Sequence, residues 1–461
     1  MIAMRFSAAF TILLAGLLSS CHEPVAAAAA GPNVVLIVVD TLRADHLASY
    51  GYGLPTDAPL ARLLAQSTRF SDCLAPASWT VPSTASIMTG MHPLHHGVYK
   101  HGTELPADTF TMAEAMANRG FRTAGFSHNH NISALTGFAQ GFDSFEAFDG
   151  DATAYPDLSL MTDQATRWLE DEVTGRFFLY MQPMNVHGPY MVPEEHQDDL
   201  LGRAPSPGFA YYGSTMRGIL KKGETNRRDS VTQAMRTSLV EQYDTAVRYT
   251  LGELAEFLQE LDDLGYYDSS YVIITADHGE ELFEHGGFSH GYSLHDEVLH
   301  VPLIVKRPFQ RTSAVVDEPV TLQDIFPTLV EELGLPIPAP LDGLSLTPLL
   351  NDPTTRLPPR DRVAHVDWKK RCVAQAVQLG ELKWIQVERD YAGRTDVTEL
   401  FDLRTDPVEL ADVSEHKGEE AQLLSDLLER RIKEWQELAP DKVRSVLDSM
   451  DVETLKALGY L

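Results

Sequence analysis

The chain has 461 residues, 44% apolar and 22% charged, a balance that suits a soluble globular protein able to bury one large core and a smaller one. Its formal net charge of −29 argues against nucleic acid as a partner, because no dominant basic face exists to release counterions. A highly anionic polymer is disfavoured as substrate for the same reason, unless its pocket is locally positive.

In chain order, Arg5 precedes an apolar run from Phe10 to Leu18, and Ser19-Ser20-Cys21 follows. The run is too short to span a bilayer and suits the core of an export signal. Leu18-Ser19-Ser20-Cys21 resembles a bacterial lipoprotein box. The likeness implies cleavage before Cys21, a lipid on its thiol and an exported lipoprotein held at a membrane of the bacterial cell envelope. A plain secretory signal is the alternative. Residues 1–21 are read as signal and lipobox, and 22–32 as a tether. Cys73 and Cys372 then remain. Their separation in sequence does not say whether they pair, and a buried structural thiol is expected at Cys73.

Five short apolar runs predict buried parallel strands: Val34–Val39, Thr123–Ser127, Phe177–Met181, Tyr271–Thr275 and Val301–Val305. Helical patterns separate them, at Pro59–Gln66 and, longest, at Leu239–Leu261. Such alternation predicts an α/β sheet covered by helices over residues 33–350. These sheets place ligands beyond the C-terminal ends of their strands. Asp40 closes the first run, His187 lies just past the third, and Asp277-His278 follows the fourth. They are predicted to converge on one edge. Pro205–Ser230 carries Arg217, Lys221, Lys222, Arg227 and Arg228 and reads as a solvated loop or a positive lid. Beyond the Pro-rich link Asn351–Pro359, Leu382–Val387 and Leu400–Leu403 predict a small antiparallel sheet, and Ala421–Leu438 a charged helix. Residues 360–461 are read as a C-terminal α+β subdomain.

Asp40, Asp277 and His278 supply two hard oxygens and one imidazole nitrogen, a set that suits one divalent cation such as manganese, zinc, magnesium or calcium. Thr80 Oγ would complete the shell, and coordination would lower the pKa of a hydroxyl that is otherwise a weak nucleophile. Pro82-Ser83-Thr84-Ala85 predicts a helix start just after Thr80, whose free N–H groups suit the oxygens of an anionic ester.

Trp79-Thr80-Val81-Pro82-Ser83-Thr84-Ala85-Ser86-Ile87-Met88-Thr89-Gly90 resembles the nucleophile segment of the sulfatase branch of the alkaline phosphatase superfamily. That family reads Cys or Ser, any residue, Pro, Ser, Arg, Ala, an apolar pair and Thr-Gly. Here Thr80 stands for the Cys or Ser that becomes formylglycine, and Thr84 stands for the Arg. A Thr does not give that aldehyde, so no formylglycine is expected. Asn33–Gly51 resembles the first family motif, with Asp40-Thr41 where the family has an acidic pair. His187-Gly188-Pro189-Tyr190, Asp277-His278-Gly279-Glu280, Leu294–Pro302 and the closing Leu458-Gly459-Tyr460-Leu461 are similar to further family elements. The resemblance implies an alkaline-phosphatase-like α/β/α sandwich with a small C-terminal subdomain. It places His128 and His130 where the family has a Lys and a His on the substrate oxyanion, and His187 and His290 at two further pocket positions. Two-metal members need an Asp and a His four apart on a helix; Asp244 is followed by Arg248, which favours one metal. The implied function is hydrolysis or transfer of an anionic ester of a lipid or glycan, with phosphoester chemistry through Thr80 as the first reading. A sulfuric ester hydrolase is the alternative. A catalytically inactive binding lipoprotein is the reading from another class.

Overall fold

The computed structural model describes residues 31–148, 157–207, 231–337, 341–368, 372–390, 394–440, 443 and 445. The signal, most of the tether, most of Pro205–Ser230 and the closing Leu458–Leu461 lie outside them.

The main sheet begins with β1 (Asn33–Val38), β2 (Thr68–Leu74), β3 (Arg122–Ser127), β4 (Ser144–Ala147), β5 (Phe177–Gln182) and β6 (Ser270–Thr275). A small hairpin, β7 (Glu281–Leu282) with β8 (Phe288–Ser289), stands apart from it. β9 (His300–Lys306), β10 (Ala314–Val316) and β11 (Val320–Thr321) complete it. Among the described residues the order is β10-β2-β9-β6-β1-β5-β3-β4, with β11 also on β2. β1, β5 and β6 are buried along their whole length, as their unbroken apolar runs require of strands covered on both faces. β1 pairs in parallel with both β5 and β6. The sheet is mixed, however: the run expected as a fifth parallel strand, β9, is antiparallel to both β2 and β6.

Helices pack on this sheet. The longer ones are α1 (Thr80–Thr89), α2 (Leu158–Asp171) and α3 (Gln233–Asp263). α3 starts six residues before the predicted Leu239, where the Thr232 side chain accepts from Met235 N–H. α1 starts at Thr80 itself, after an extended Trp79, and stops at Gly90, whose φ of 68° suits a residue without Cβ. Pro59–Gln66 is shorter than expected: one 3₁₀ turn at Ala58–Leu60 runs into Ala61–Leu64.

The C-terminal segment forms the expected antiparallel sheet, β12 (Arg362–Trp368), β13 (Cys372–Leu379), β14 (Leu382–Arg389) and β15 (Thr395–Asp402), with α4 (Gly418–Leu438) upon it. Val377, Trp384, Leu400, Leu424 and Leu428 build a second core there. Contacts that tie this sheet to the larger one include the Arg362–Asp72 ion pair between β12 and β2. His365 N–H donates to Pro76 O at 2.9 Å. The buried Lys383 ammonium reaches Asp296 and Glu409, each at 2.7 Å. Cys73 in β2 and Cys372 in β13 are buried, separate thiols.

Candidate active site

Four strand ends meet α1. Asp40 follows β1, Gln182 ends β5, His128-Asn129 follow β3, and Asp277-His278 follow β6. The ladders continue past the strands to fix these ends: Asp40 N–H donates to Pro183 O at 3.0 Å, and His128 N–H to Gln182 O at 3.0 Å. This is the crevice where open α/β sheets bind ligands.

One ligand atom from each of Asp40, Asp277 and His278 lies within 4.8 Å of the others. All three side chains are fully buried. Thr80 Oγ1 lies 3.5 Å from Asp40 Oδ2 and 3.3 Å from His278 Nε2. His278 Nδ1 is 2.8 Å from Gly279 O, which makes Nδ1 the donor and turns the Nε2 lone pair toward the acids. Thr41, in the place of the family's second acid, holds φ at 61°, a strained value for a β-branched residue. Tyr243 on α3 pins that turn, donating to Thr41 O at 2.7 Å and accepting from Arg43 N–H at 2.9 Å.

Like charges in a buried site are costly. Burial, then the neighbouring Asp277, pushes the Asp40 carboxyl above its usual range. Burial pushes Asp277 up to about 7. Burial, then His290, pulls His278 down to about 4 and keeps it a neutral ligand. Asp40 Oδ1 is buried with no hydrogen-bond partner. An orphaned carboxylate oxygen, a second buried acid and an imidazole lone pair converging together fit one divalent cation. When bound, such an ion supplies Lewis-acid charge for the reacting oxygens.

Two residues the sequence reading missed brace this set. Asn129 Nδ2 donates to Asp40 Oδ2 at 2.7 Å and lies 3.4 Å from Thr80 Oγ1. Gln182 Nε2 lies 3.4 Å from both Asp40 Oδ2 and Asp277 Oδ2. The buried Tyr180 phenol donates to Gln182 Oε1 and orients that amide.

The histidines divide. His290 lies tilted against His278 with ring centroids 4.5 Å apart, and His187 meets His290 edge-on at 4.9 Å. Burial holds His290 down at about 3, so it is neutral at physiological pH. Its Nδ1 is 3.2 Å from Glu280 Oε1, on a carboxyl raised by its own burial. The His128 ring meets Phe148 edge-on at 6.2 Å, and burial pulls it down to about 4. His130 is half-buried in the following turn. His285 pairs with Glu297 at 2.6 Å and stacks on His295 at 3.7 Å, joining the C-terminal sheet rather than the site. Asp244 is held by His46 Nδ1 and the Tyr52 hydroxyl, each at 2.6 Å. A cavity of about 700 Å³, lined by Pro32, Thr68 and Ser269, opens at the other end of the strands and holds none of these groups.

Residues 32–335 match the family model described as Sulfatase. Residues 283–437 match the model described as N-sulphoglucosamine sulphohydrolase, C-terminal. The chain is 23% identical to an N-acetylglucosamine-6-O-sulfatase of Bacteroides thetaiotaomicron, over 93% of this chain and 91% of that protein. It is 24% identical to Arylsulfatase K of Homo sapiens, over 90% and 84%. A structure solved in complex with its substrate D-glucosamine-2-N,6-O-disulfate superposes with a TM-score of 0.70 at 19% identity, covering 88% of this chain and 98% of that one. The phosphonate monoester hydrolase of Agrobacterium radiobacter superposes at 0.68 with 20% identity, covering 87% and 95%. The fold is thus alkaline-phosphatase-like, as the resemblance implied.

Proposed function

We propose that this chain, which belongs to the sulfatase family, is a metal-dependent hydrolase of sulfuric esters of saccharides, with Thr80 facing the reacting group. The observation that carries the reading is Thr80 Oγ1, at the N-terminus of α1, set within 3.5 Å of Asp40 and His278. A helix N-terminus favours the anionic oxygens of the ester, and the buried acids favour the cation that would offset them. The choice of acid and alcohol rests on the relatives, which are named as sulfatases of amino sugars and aryl esters. The phosphoester reading, first on sequence grounds, becomes the second. Thr80 favours it, because a plain hydroxyl forms a phosphothreonine that water resolves. In either reading Thr80 Oγ1 attacks the central sulfur or phosphorus in line, and the bond to the leaving alcohol oxygen breaks. That oxygen takes up a proton, and Thr80 gives one up; water then attacks the same sulfur or phosphorus, the bond to Thr80 Oγ1 breaks, Thr80 takes back a proton and the free acid leaves. Asn129 and Gln182 hold Asp40 in place throughout. His187 and His290 are assigned to the substrate. His128 and His130 keep that assignment only through the motif.

A panel of saccharide and aryl sulfates, with the matching phosphate mono- and diesters, tests this with manganese, zinc, magnesium and calcium in turn. Sulfate release from the saccharide esters is expected to give the highest kcat/KM. Phosphate release with no sulfate release would establish the second reading.

Anchoring at Cys21 belongs to the same proposal, with residues 33–350 as catalytic domain and 360–461 as its subdomain. Cys21→Ser is expected to move the protein from the membrane fraction to the soluble one, since lipid chains would supply the attachment. Retention of that variant on membranes through detergent-free washing would count against a lipid anchor.

A further inference from the structure

Three rings, Trp79, Trp368 and His101, cluster on the chain neighbours of Thr80 and His290 without entering the chemistry above. Trp79, the residue before Thr80, is buried. Trp368, the last residue of β12, meets it edge to face, with centroids 4.8 Å apart and planes at 64°. His101 meets Trp368 at 5.0 Å and 89°. Gly291, next to His290, approaches from the other side: a Cβ there would come within 3.3 Å of Trp368 Cγ. Its N–H donates to Ser78 O at 2.7 Å. Trp368 is therefore wedged between the chain neighbours of two site residues, yet it keeps part of its surface exposed. A backbone bridge between Lys100 and Asp367 fixes the segment that carries His101.

A half-buried indole at the rim of a catalytic crevice is a large flat apolar surface with few rotamers to lose on binding. Its surroundings are interleaved with polar groups, His101, Lys100 and Asp367. A pyranose presents the same alternation, an apolar C–H face ringed by hydroxyls. An acyl chain would instead ask for a continuous apolar groove. We propose that Trp368, flanked by His101, is a platform on which the sugar ring of the leaving alcohol stacks. The subsite belongs to the C-terminal sheet and sets which alcohol is accepted. It rests on the saccharide-ester reading above.

The test compares wild type, Trp368→Ala, Trp368→Phe and His101→Ala, all metal-loaded. Substrates are N-acetylglucosamine 6-sulfate and 6-phosphate against ethyl sulfate and ethyl phosphate. Trp368→Ala should lower the kcat/KM ratio of saccharide over ethyl ester about tenfold, the scale of one lost aromatic contact. Trp368→Phe should keep most of the preference, and His101→Ala should lose part of it. Turnover of the phosphates alone would displace the sulfate reading, while the platform is still scored on the 6-phosphate. Calorimetric binding of N-acetylglucosamine itself scores it without turnover, with affinity expected to fall about tenfold in Trp368→Ala. An unchanged ratio, an equal loss in Phe and Ala variants, or no binding of the sugar by wild type would each overturn the platform. So would a preference for glycerophospholipid esters that Trp368→Ala removes.

Discussion

Thr80→Ala is expected to lower kcat/KM by about a thousandfold or more, the scale of losing a nucleophile while binding groups stay in place. Little else should change. Thr80 opens α1, where Ala is a good helix former, and the loss of one hydroxyl and one methyl from a buried site costs about 1 kcal/mol. Thr80→Ser should keep measurable turnover, since the hydroxyl survives with a freer χ1. Mass spectrometry of protein quenched during turnover should find the transferred acid on the peptide that contains Thr80. A phosphoryl and a sulfuryl adduct tell the two readings apart at high mass accuracy. Full activity in Thr80→Ala would remove this residue from the reaction. Wild-type protein that binds metal and turns over no ester at all would restore the inactive binding lipoprotein as the reading.

Much of this site is legible in the sequence because its residues sit at the ends of apolar runs. Val34–Val39 and Tyr271–Thr275 read as buried parallel strands, and as parallel strands they carry the acids that follow them to one edge. Strand direction is another matter. β9 is buried on both faces, and a run with no polar side carries no mark of its orientation. The bracing amides were missed for a related reason. Asn129 lies between two histidines that drew the functional assignment, and nothing in composition marks the middle residue. The structure turns it inward because the Ser127 hydroxyl bonds both Asn129 N–H, at 3.1 Å, and Asn129 O, at 3.0 Å. Gln182 is hidden as the last residue of a buried strand. Its role appears only when Tyr180 and two carboxylates are seen around it.

Removing a ligand should cost the metal itself. Asp277→Ala and His278→Ala are each expected to abolish bound metal by elemental analysis, and activity with it, because a set of about four ligands does not hold when one is lost. Full occupancy in both variants would place the ion elsewhere, and more than one metal per wild-type chain would overturn the single-ion reading. The same carboxylate predicts a pH signature. Burial raises Asp277 from its ordinary 3.8 to about 7. Across that window the metal-free folded protein keeps a proton that the unfolded chain has released. Its stability therefore falls as pH rises from about 4 to about 7. A cation binds the deprotonated form and takes the place of that proton. The gain in Tm on adding manganese to chelator-treated protein should then be larger near pH 8 than near pH 5. Asp277→Ala should remove both the metal gain and its pH dependence. A wild-type gain that is flat with pH, or larger in acid, would show that Asp277 does not exchange a proton for the ion.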